Sequence, residues 1–280
     1  MKIFVISKKT GFLCIAALIL VLSVVYIGQV PAVPVGNTDR DLPIYCVQKS
    51  EDEKIVALSF DAAWGNEDTG QLIEIMDKYN VKTTFFVVGS WVDKYPQSVK
   101  ELHDAGHEIM NHSDSHPHMT QLSKEKMKEE VQKCDEKIKA ITGVTPNLFR
   151  APYGDYNNDV IGAMREMGHY TIQWDVDSLD WKNLSAKEIS DRVTSKVKPG
   201  SIVLFHNAAL NTPAALPSII EYLQKDGYKI VPVSQIILKD NYTIDVNGMQ
   251  IPDQPKADTK PKAEPKKETA FAVSFHYFRV

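Results

Sequence analysis

The sequence predicts an α/β barrel of about seven strands, and three observations lead to that fold class. Short β-branched segments alternate with amphipathic segments along residues 52–238, which is typical of a parallel sheet covered by helices. About seven predicted strands in fewer than 200 residues favour a closed or nearly closed barrel. Residues that carry chemistry stand where the predicted strands end, which is where barrel enzymes place their active sites.

The predicted elements follow one another closely. The predicted strands are short apolar runs, and they comprise residues 54–60, 81–89, 107–112, 147–152, 170–176, 201–206 and 228–233. The predicted helices have apolar residues at helical spacing, and they comprise residues 68–80, 98–106, 123–143, 158–168, 185–197 and 215–227. Asp68 or Thr69 caps the first helix, and Gly106 ends the second.

An apolar segment precedes this domain. Residues 11–28 carry no charge, and as a helix they would span about 27 Å, enough to cross a membrane. Lys2, Lys8 and Lys9 place residues 1–10 in the cytoplasm. We therefore predict a single-pass membrane anchor, or uncleaved signal, with the domain outside the cell. The alternative is a cleaved signal peptide, which would give a secreted protein.

Two further segments flank the domain. Residues 29–51 lack strong periodicity and are predicted to be a spacer. Residues 239–280 are predicted to be a largely disordered tail, because residues 252–268 combine Pro, Lys, Asp and Glu without a large apolar residue. The sequence assigns no role to residues 269–280. Cys46 in the spacer and Cys134 in a predicted helix are expected to be separate thiols rather than a disulfide.

Charge and cysteine content exclude several function classes. The chain has 32 Lys and Arg against 36 Asp and Glu, so it lacks the basic excess of a nucleic-acid-binding protein. Its 3 cysteines include no Cys-x-x-Cys pair, which excludes a zinc ribbon and a thioredoxin-like site. The oligomeric state is left open.

The histidines suggest a metal site. His112 and His116 lie four residues apart, a spacing at which two imidazoles can reach one metal ion. His103 and His107 have the same spacing, so spacing alone does not decide. Gly106 separates that second pair and ends a helix, so its two side chains are expected to point in different directions. We therefore predict that only His112 and His116 bind a metal.

Five short motifs carry a family resemblance. They are SFD at 59–61, HSDSHP at 112–117, RAPYG at 150–154, DSLDW at 177–181 and LFH at 204–206. In this order they resemble the motifs of carbohydrate esterase family 4, the NodB-like polysaccharide deacetylases. The resemblance covers residues 52–238. It implies a distorted (β/α) barrel and metal-assisted removal of acetyl groups from glycans.

The resemblance implies a role for each residue on the metal side of the site. His112 and His116 would hold a divalent ion, Zn²⁺, that polarises the acetyl carbonyl. Asp61 would take a proton from the attacking water. Arg150 would pair with the Asp61 carboxylate and hold its orientation.

The resemblance also implies roles for five further residues. His206 would protonate the departing amine, and Asp180 would keep that imidazole oriented and charged. The backbone N–H of Tyr153 would stabilise the oxyanion. Trp181 and Leu204 would form a wall around the acetyl methyl group.

One position departs from the family pattern. The family usually has two adjacent aspartates, the second a metal ligand, whereas Asp61 is followed by Ala62. We expect weaker metal affinity unless Asp61, water, Glu67 or Asp68 fills the place, and Asp68 is better explained as a helix N-cap. Relatives that act on muramic acid and form its lactam also lack the second aspartate, so this change alone does not imply inactivity.

The leading prediction is a metal-dependent hydrolase that removes acetyl groups from an extracellular N-acetylated polysaccharide, first of all peptidoglycan. One alternative is a catalytically degenerate wall-binding module of the same fold. Others are a deacetylase of acetylated xylan or chitin oligomers and a lactam-forming muramic-acid deacetylase. The predicted partners are the cell-wall polysaccharide and, through the N-terminal helix, the membrane.

Overall fold

A computed structural model describes residues 40–253. The strands are β1 (Cys46–Val47), β2 (Ile55–Ala62), β3 (Thr84–Val87), β4 (Glu108–Asn111), β5 (Leu148–Phe149), β6 (Tyr170–Thr171), β7 (Val176–Asp177), β8 (Ile202–His206), β9 (Lys229–Ile230), β10 (Tyr242–Ile244) and β11 (Met249–Pro252). The helices are α1 (Thr69–Lys78), α2 (Gly89–Lys94), α3 (Pro96–Asp104), α4 (Lys124–Thr142), α5 (Asn158–Glu166), α6 (Ala186–Thr194), α7 (Thr212–Lys225) and α8 (Val233–Ile236). All of them belong to the unit that begins at Asp41.

The main sheet is a half-barrel of seven parallel strands. The strand order is β6-β5-β4-β3-β2-β8-β7, and β9 pairs with β2 near its start. Only four residues separate β6 from β7, although these strands lie at opposite edges of the sheet. An extended chain from Thr171 to Val176 reaches at most about 18 Å, so the sheet must curl to bring its edges together. No bridge joins β6 to β7 within residues 40–253, and the barrel is open there.

This topology confirms the α/β class with seven parallel strands, as an open half-barrel rather than a closed barrel, and it corrects the predicted strand at residues 170–176. The sequence predicted a single strand over residues 170–176. The structure divides it into β6 and β7, which pair with different neighbours. Residues 172–175 connect the two strands, and the residue pattern of 170–176 alone does not reveal the change of partner.

Side chains on the central strands alternate between two layers. On β2, Phe60 and Ala62 pack into the apolar cluster shared with the helices, whereas Ser59 and Asp61 bind a side chain inside the barrel. On β8, Phe205 packs into the same helix-facing cluster, and Leu204 lines the barrel opening. Because successive strand residues face opposite sides, one apolar-polar pattern builds both the core and the site.

Capping residues define several helix ends. Ser123 accepts a hydrogen bond from the backbone N–H of Lys126 at the start of α4, and Gly143 ends that helix with a φ of 74°. Ser185 and Glu188 form a capping box at the start of α6. These signals explain why the predicted boundaries of both helices lie within a few residues of the observed ones.

The ordered domain is wider than the predicted range of 52–238. β1 lies in the predicted spacer and pairs with β11, which pairs with β10, so the first part of the predicted tail is also folded. Gln250 is fully buried in β11, and its side-chain amide exchanges hydrogen bonds with the backbone of Leu238. Because the side-chain amide of Gln250 has hydrogen-bond partners, this segment can pack in the core despite its polar composition.

Several predictions concern residues outside the described range. The anchor at 11–28, residues 1–10 and most of the tail, including 269–280, lie there. Within residues 40–253, no helix is both long and apolar enough to span a membrane. Cys46 and Cys134 are both described, and both are buried free thiols.

Candidate active site

A pocket of about 380 Å³ opens at the carboxyl ends of the central strands. Seven of the nine predicted site residues line it, namely Asp61, His112, His116, Tyr153, Trp181, Leu204 and His206. The other two, Arg150 and Asp180, are fully buried behind the lining. The structure therefore brings together the residues that the sequence predicted to converge.

Arg150 and Asp61 form a buried ion pair inside the barrel. Nη1 of Arg150 donates to Oδ1 of Asp61 at 2.7 Å, and Nη2 donates to Ser59 Oγ at 2.9 Å and to the Gln173 carbonyl at 3.2 Å. The guanidinium also lies 4.1 Å from the centre of the Phe86 ring. Burial acts to raise the pKa of Asp61, but the charge of Arg150 and the nearby imidazoles hold that pKa below its usual value.

His112 is oriented by the backbone of Arg150. Its Nδ1 lies 2.8 Å from the Arg150 carbonyl oxygen, which can only accept a hydrogen bond, so Nδ1 carries the proton. Its Nε2 lies 3.6 Å from Oδ2 of Asp61. Burial lowers the pKa of His112 although Asp61 opposes this, and the neutral ring keeps a lone pair on Nε2.

His116 lies beside His112 on a strained turn. Its φ is 61°, and its backbone N–H donates to Ser113 Oγ at 3.0 Å. The two imidazole rings are 5.0 Å apart, and the His116 ring is 4.6 Å from the ring of Tyr153. Burial and the neighbouring His112 lower the pKa of His116 to about 4, so this ring is also neutral at pH 7.

The donor set fits a divalent ion with two protein ligands. Within residues 40–253, no group of three or more His, Cys, Asp or Glu side chains forms a candidate metal cluster. His112 and His116 are nevertheless adjacent neutral imidazoles, and a carbonyl oxygen fixes the tautomer of His112, as is usual for metal-binding histidines. The remaining coordination positions would fall to water or substrate.

Ala62 points away from this pair. Its side chain is fully buried in the helix-facing apolar cluster, and the neighbouring Ala63 lines the pocket instead. Neither residue supplies a carboxylate. The structure thus has a buried methyl group at residue 62 and no carboxylate from residues 62 or 63 beside the imidazole pair.

His206 and Asp180 form the second polar pair of the pocket. Nδ1 of His206 lies 2.8 Å from Oδ1 of Asp180. Oδ2 of Asp180 accepts from the His206 backbone N–H at 2.8 Å and from Thr212 Oγ1 at 2.7 Å. Burial acts to lower the pKa of His206, but the hydrogen bond and charge of Asp180 outweigh it and raise that pKa. Asp180 thus favours the protonated form of the ring, whose Nε2 is left for the pocket.

Asp68 neither lines the pocket as a metal ligand would nor caps α1 through its side chain. It stands at the N-cap position of α1 but makes no side-chain capping bond. Its Oδ2 instead accepts from the backbone N–H of Ala208 at 2.8 Å, which ties the loop after β2 to the loop after β8. Burial raises the pKa of Asp68. Glu67 is exposed, and neither Glu67 nor Asp68 lines the pocket.

Backbone strain is concentrated around the pocket. Five of the non-glycine residues with positive φ lie in loops at this end of the barrel, namely Ser113, His116, Tyr153, Leu179 and Ala208. Such conformations cost roughly 1–3 kcal/mol each and gather at functional sites. This concentration of strained loop residues is typical of a functional pocket.

Sequence reasoning missed three side chains of the lining. Trp64, Trp174 and Asp177 all face the pocket. Trp64 lies three residues after the first motif, Trp174 lies in the loop between β6 and β7, and Asp177 is the first residue of the fourth motif. Their proximity to the strand ends was the available signal, but the core also contains tryptophan, so residue type did not separate them from packing residues.

The comparisons with known proteins agree with this geometry. Residues 48–172 match the family model for polysaccharide deacetylase. The chain is 34% identical over 195 residues to the uncharacterised protein YlxY of Bacillus subtilis, covering 70% of this chain and 60% of YlxY. It is 32% identical over 191 residues to the peptidoglycan-N-acetylmuramic acid deacetylase PdaA of B. subtilis, covering 67% of this chain and 73% of PdaA. The chain thus spans less than two thirds of the length of YlxY.

A solved structure is similar as well. BA3943 of Bacillus anthracis, a CE4 family pseudoenzyme, is 33% identical with a TM-score of 0.66, covering 75% of this chain and 70% of that one. A mutant of BA3943 with restored enzymatic activity has 34% identity and a TM-score of 0.67. The fold is therefore shared with a protein that lacks activity in its natural form.

The direction of residue 62 leads to a test. In Ala62→Asp, a carboxylate would enter the apolar cluster, and we expect the free energy of unfolding to fall by roughly 1–3 kcal/mol. Urea unfolding of the wild type and the variant measures this, with Ala63→Asp as the matched control because residue 63 faces the pocket. Full stability of Ala62→Asp together with tighter binding of Zn²⁺ would contradict the assigned direction.

Proposed function

The chain belongs to the polysaccharide deacetylases of carbohydrate esterase family 4, and from that membership we propose that it hydrolyses acetyl groups of peptidoglycan. The observation that carries the proposal is that two groups with opposite proton-transfer roles face one pocket. Arg150 lowers the pKa of Asp61, which favours the carboxylate, and Asp180 raises the pKa of His206, which favours the imidazolium. A carboxylate base and an imidazolium acid are what amide hydrolysis requires.

Asp61 is placed to act as the general base. Its Oδ1 is committed to Arg150, and its Oδ2 faces the imidazole of His112 at the pocket. The low pKa keeps the carboxylate ready to accept a proton at neutral pH. A water between Asp61 and the acetyl carbonyl would lose its proton to Oδ2 as it attacks.

His206 is placed to act as the general acid. With Nδ1 bound to Asp180, the proton on Nε2 can pass to the leaving nitrogen of the amide. An amine is a poor leaving group unless it is protonated, so this step is needed for an N-acetyl substrate. We expect activity to fall as pH rises through the raised pKa of His206, because the acid is then lost.

Three further residues complete the proposed site. The backbone of Tyr153 has a φ of 61°, and we propose that its N–H faces the carbonyl oxygen as negative charge develops there. Trp181 and Leu204 line the pocket and would enclose the acetyl methyl group. A divalent ion held by His112 and His116 would polarise the acetyl carbonyl as a Lewis acid. We propose Zn²⁺ for that ion, because imidazole nitrogen is among its preferred ligands.

A second candidate function is a non-catalytic wall-binding module. The missing carboxylate at residue 62 and the similarity to the pseudoenzyme BA3943 both favour it. In that case the pocket would bind a glycan without hydrolysing it. Metal occupancy separates the two candidates, because a site that binds no divalent ion lacks the electrophile that the hydrolysis needs.

The catalytic assignment is tested by acetate release. The wild-type protein with Zn²⁺ is expected to release acetate from purified peptidoglycan, and Asp61→Asn should reduce the rate by roughly 10²–10⁴-fold because it removes the base while keeping the shape. Acetate is measured by a coupled enzymatic assay, and Asp77→Asn, an exposed carboxylate on α1, is the control. Equal rates for the wild type and Asp61→Asn would exclude Asp61 as the base.

The metal assignment is tested by direct binding. His112→Ala and His116→Ala should each remove the binding of one Zn²⁺ per chain, because each takes away one of two protein ligands. His103→Ala on α3 should bind as the wild type does. Titration with Zn²⁺ in a calorimeter gives the readout, and equal binding by all three variants would contradict the assignment.

We also propose that the domain is anchored outside the cell by residues 11–28. The uncharged length of that segment and the lysines before it support this. Protease added to intact spheroplasts should then remove the domain while an N-terminal tag stays protected. A protected domain would indicate a cytoplasmic location, and a free product starting near residue 30 would indicate signal cleavage.

A further inference from the structure

Trp64 is an exposed tryptophan at the edge of the pocket. It is 59% exposed, yet it lines the same cavity as the proposed catalytic residues. Burying an indole would contribute favourably to folding, so a tryptophan left in water at a pocket edge suggests that a ligand covers it. Its only ring partner among the described contacts is His116, whose ring centre is 5.7 Å away at an angle of 62°.

The loop beneath Trp64 is firmly held. The carbonyl oxygen of Gly65 accepts hydrogen bonds from Trp91 Nε1 at 2.9 Å and from the side-chain amide of Asn207. The side chain of Asp68 accepts from the backbone of Ala208 at 2.8 Å. The exposure of Trp64 is therefore not the result of a loose loop, because the backbone on its C-terminal side is tied to two other elements.

A second exposed tryptophan lies at the other polar pair. Trp181 is 55% exposed and lines the pocket. Its backbone N–H donates to Oδ1 of Asp180 at 2.9 Å, so it is adjacent to the carboxylate that orients His206. Trp64 is next to the imidazole pair, and Trp181 is next to the proposed acid. The two indoles thus flank different ends of the reacting groups.

We propose that Trp64 is a specificity-determining residue whose indole stacks on a pyranose ring adjacent to the acetylated sugar. A pyranose has a face of C–H groups, which packs on an aromatic ring while the hydroxyl groups at its edge stay hydrated. With the acetyl group between the polar pairs, a ring on Trp64 belongs to a neighbouring sugar of the same chain. The site therefore binds an oligosaccharide of N-acetylated sugars better than a single sugar.

This inference rests on the proposed function for its substrate class, but binding tests it without catalysis. The probes are N-acetylglucosamine and its β-1,4-linked tetramer, titrated in a calorimeter into Zn²⁺-loaded protein that carries Asp61→Asn in the reference and in every variant, so that the tetramer is bound but not hydrolysed. In Trp64→Ala the affinity for the tetramer should fall by about tenfold, the loss expected for one stacked ring. Affinity for the monosaccharide should change much less, so the ratio of tetramer affinity to monosaccharide affinity should be smaller in Trp64→Ala.

Two variants separate stacking from damage to the fold. Trp64→Phe keeps an aromatic face and should recover most of the tetramer affinity. Tyr222→Ala removes an aromatic side chain of 47% exposure on α7, away from the pocket, and should bind the tetramer within twofold of the reference. Equal melting temperatures of Trp64→Ala and the reference exclude unfolding as the cause of a loss. Tetramer affinity of Trp64→Ala within twofold of the reference would overturn the proposal.

Kinetics give a second readout where acetate is released from the tetramer. The loss in Trp64→Ala should appear mainly as a higher KM, because a ring stacked away from the acetyl group contributes to ground-state and transition-state binding alike. A loss confined to kcat would contradict a stacking role. If the wild type binds the tetramer but releases no acetate, the deacetylase proposal fails. The effect of Trp64→Ala on tetramer binding still tests the stacking proposal in that case.

Discussion

The geometry of the pocket depends on one fully buried arginine. Removing a guanidinium from water costs several kcal/mol unless its hydrogen bonds are replaced, and the two terminal nitrogens of Arg150 bind Asp61, Ser59 and the Gln173 carbonyl, while its Nε has no partner among the described residues. The same residue uses its own carbonyl to fix the ring of His112. One side chain thus sets the charge of the proposed base, and its backbone sets the tautomer of a proposed metal ligand. A substitution at residue 150 would remove the charge that acts on Asp61 but keep the carbonyl that contacts His112.

Strand alternation explains why core and site can share the same strands. Each residue on β2 faces the side opposite to its neighbours, so Asp61 reaches Arg150 while Phe60 and Ala62 pack under the helices. This also gives the departure at residue 62 a structural meaning. An alanine there completes an apolar layer, and Ala63, directly after the strand, lines the pocket.

Much of the site followed from the sequence because its residues end strands. Asp61, Arg150 and His206 could be placed together once the strands were predicted to be parallel. The division of residues 170–176 into β6 and β7 could not be predicted, since the pieces differ in their pairing partners, which the local sequence does not show. The fold of residues 239–253 was also missed, because Gln250 is stabilised by a distant backbone contact that local composition does not show. Trp64 was missed because exposure, the property that marks it, exists only in the folded chain.

The two polar pairs differ in what they reveal about activity. The Arg150–Asp61 pair fills the barrel interior and orients His112, so a protein that no longer catalysed anything would still lose stability without it. His206 has a smaller structural role, since its side chain is at the pocket opening and 15% exposed, and its ring compensates the charge of Asp180 without joining further strands of the barrel. Holding an imidazole charged against its burial is unfavourable for folding unless Asp180 compensates, and an apolar residue would pack there without that requirement. The His206–Asp180 pair is therefore the better evidence for a working hydrolase, and Arg150–Asp61 is the better evidence for the fold that supports it.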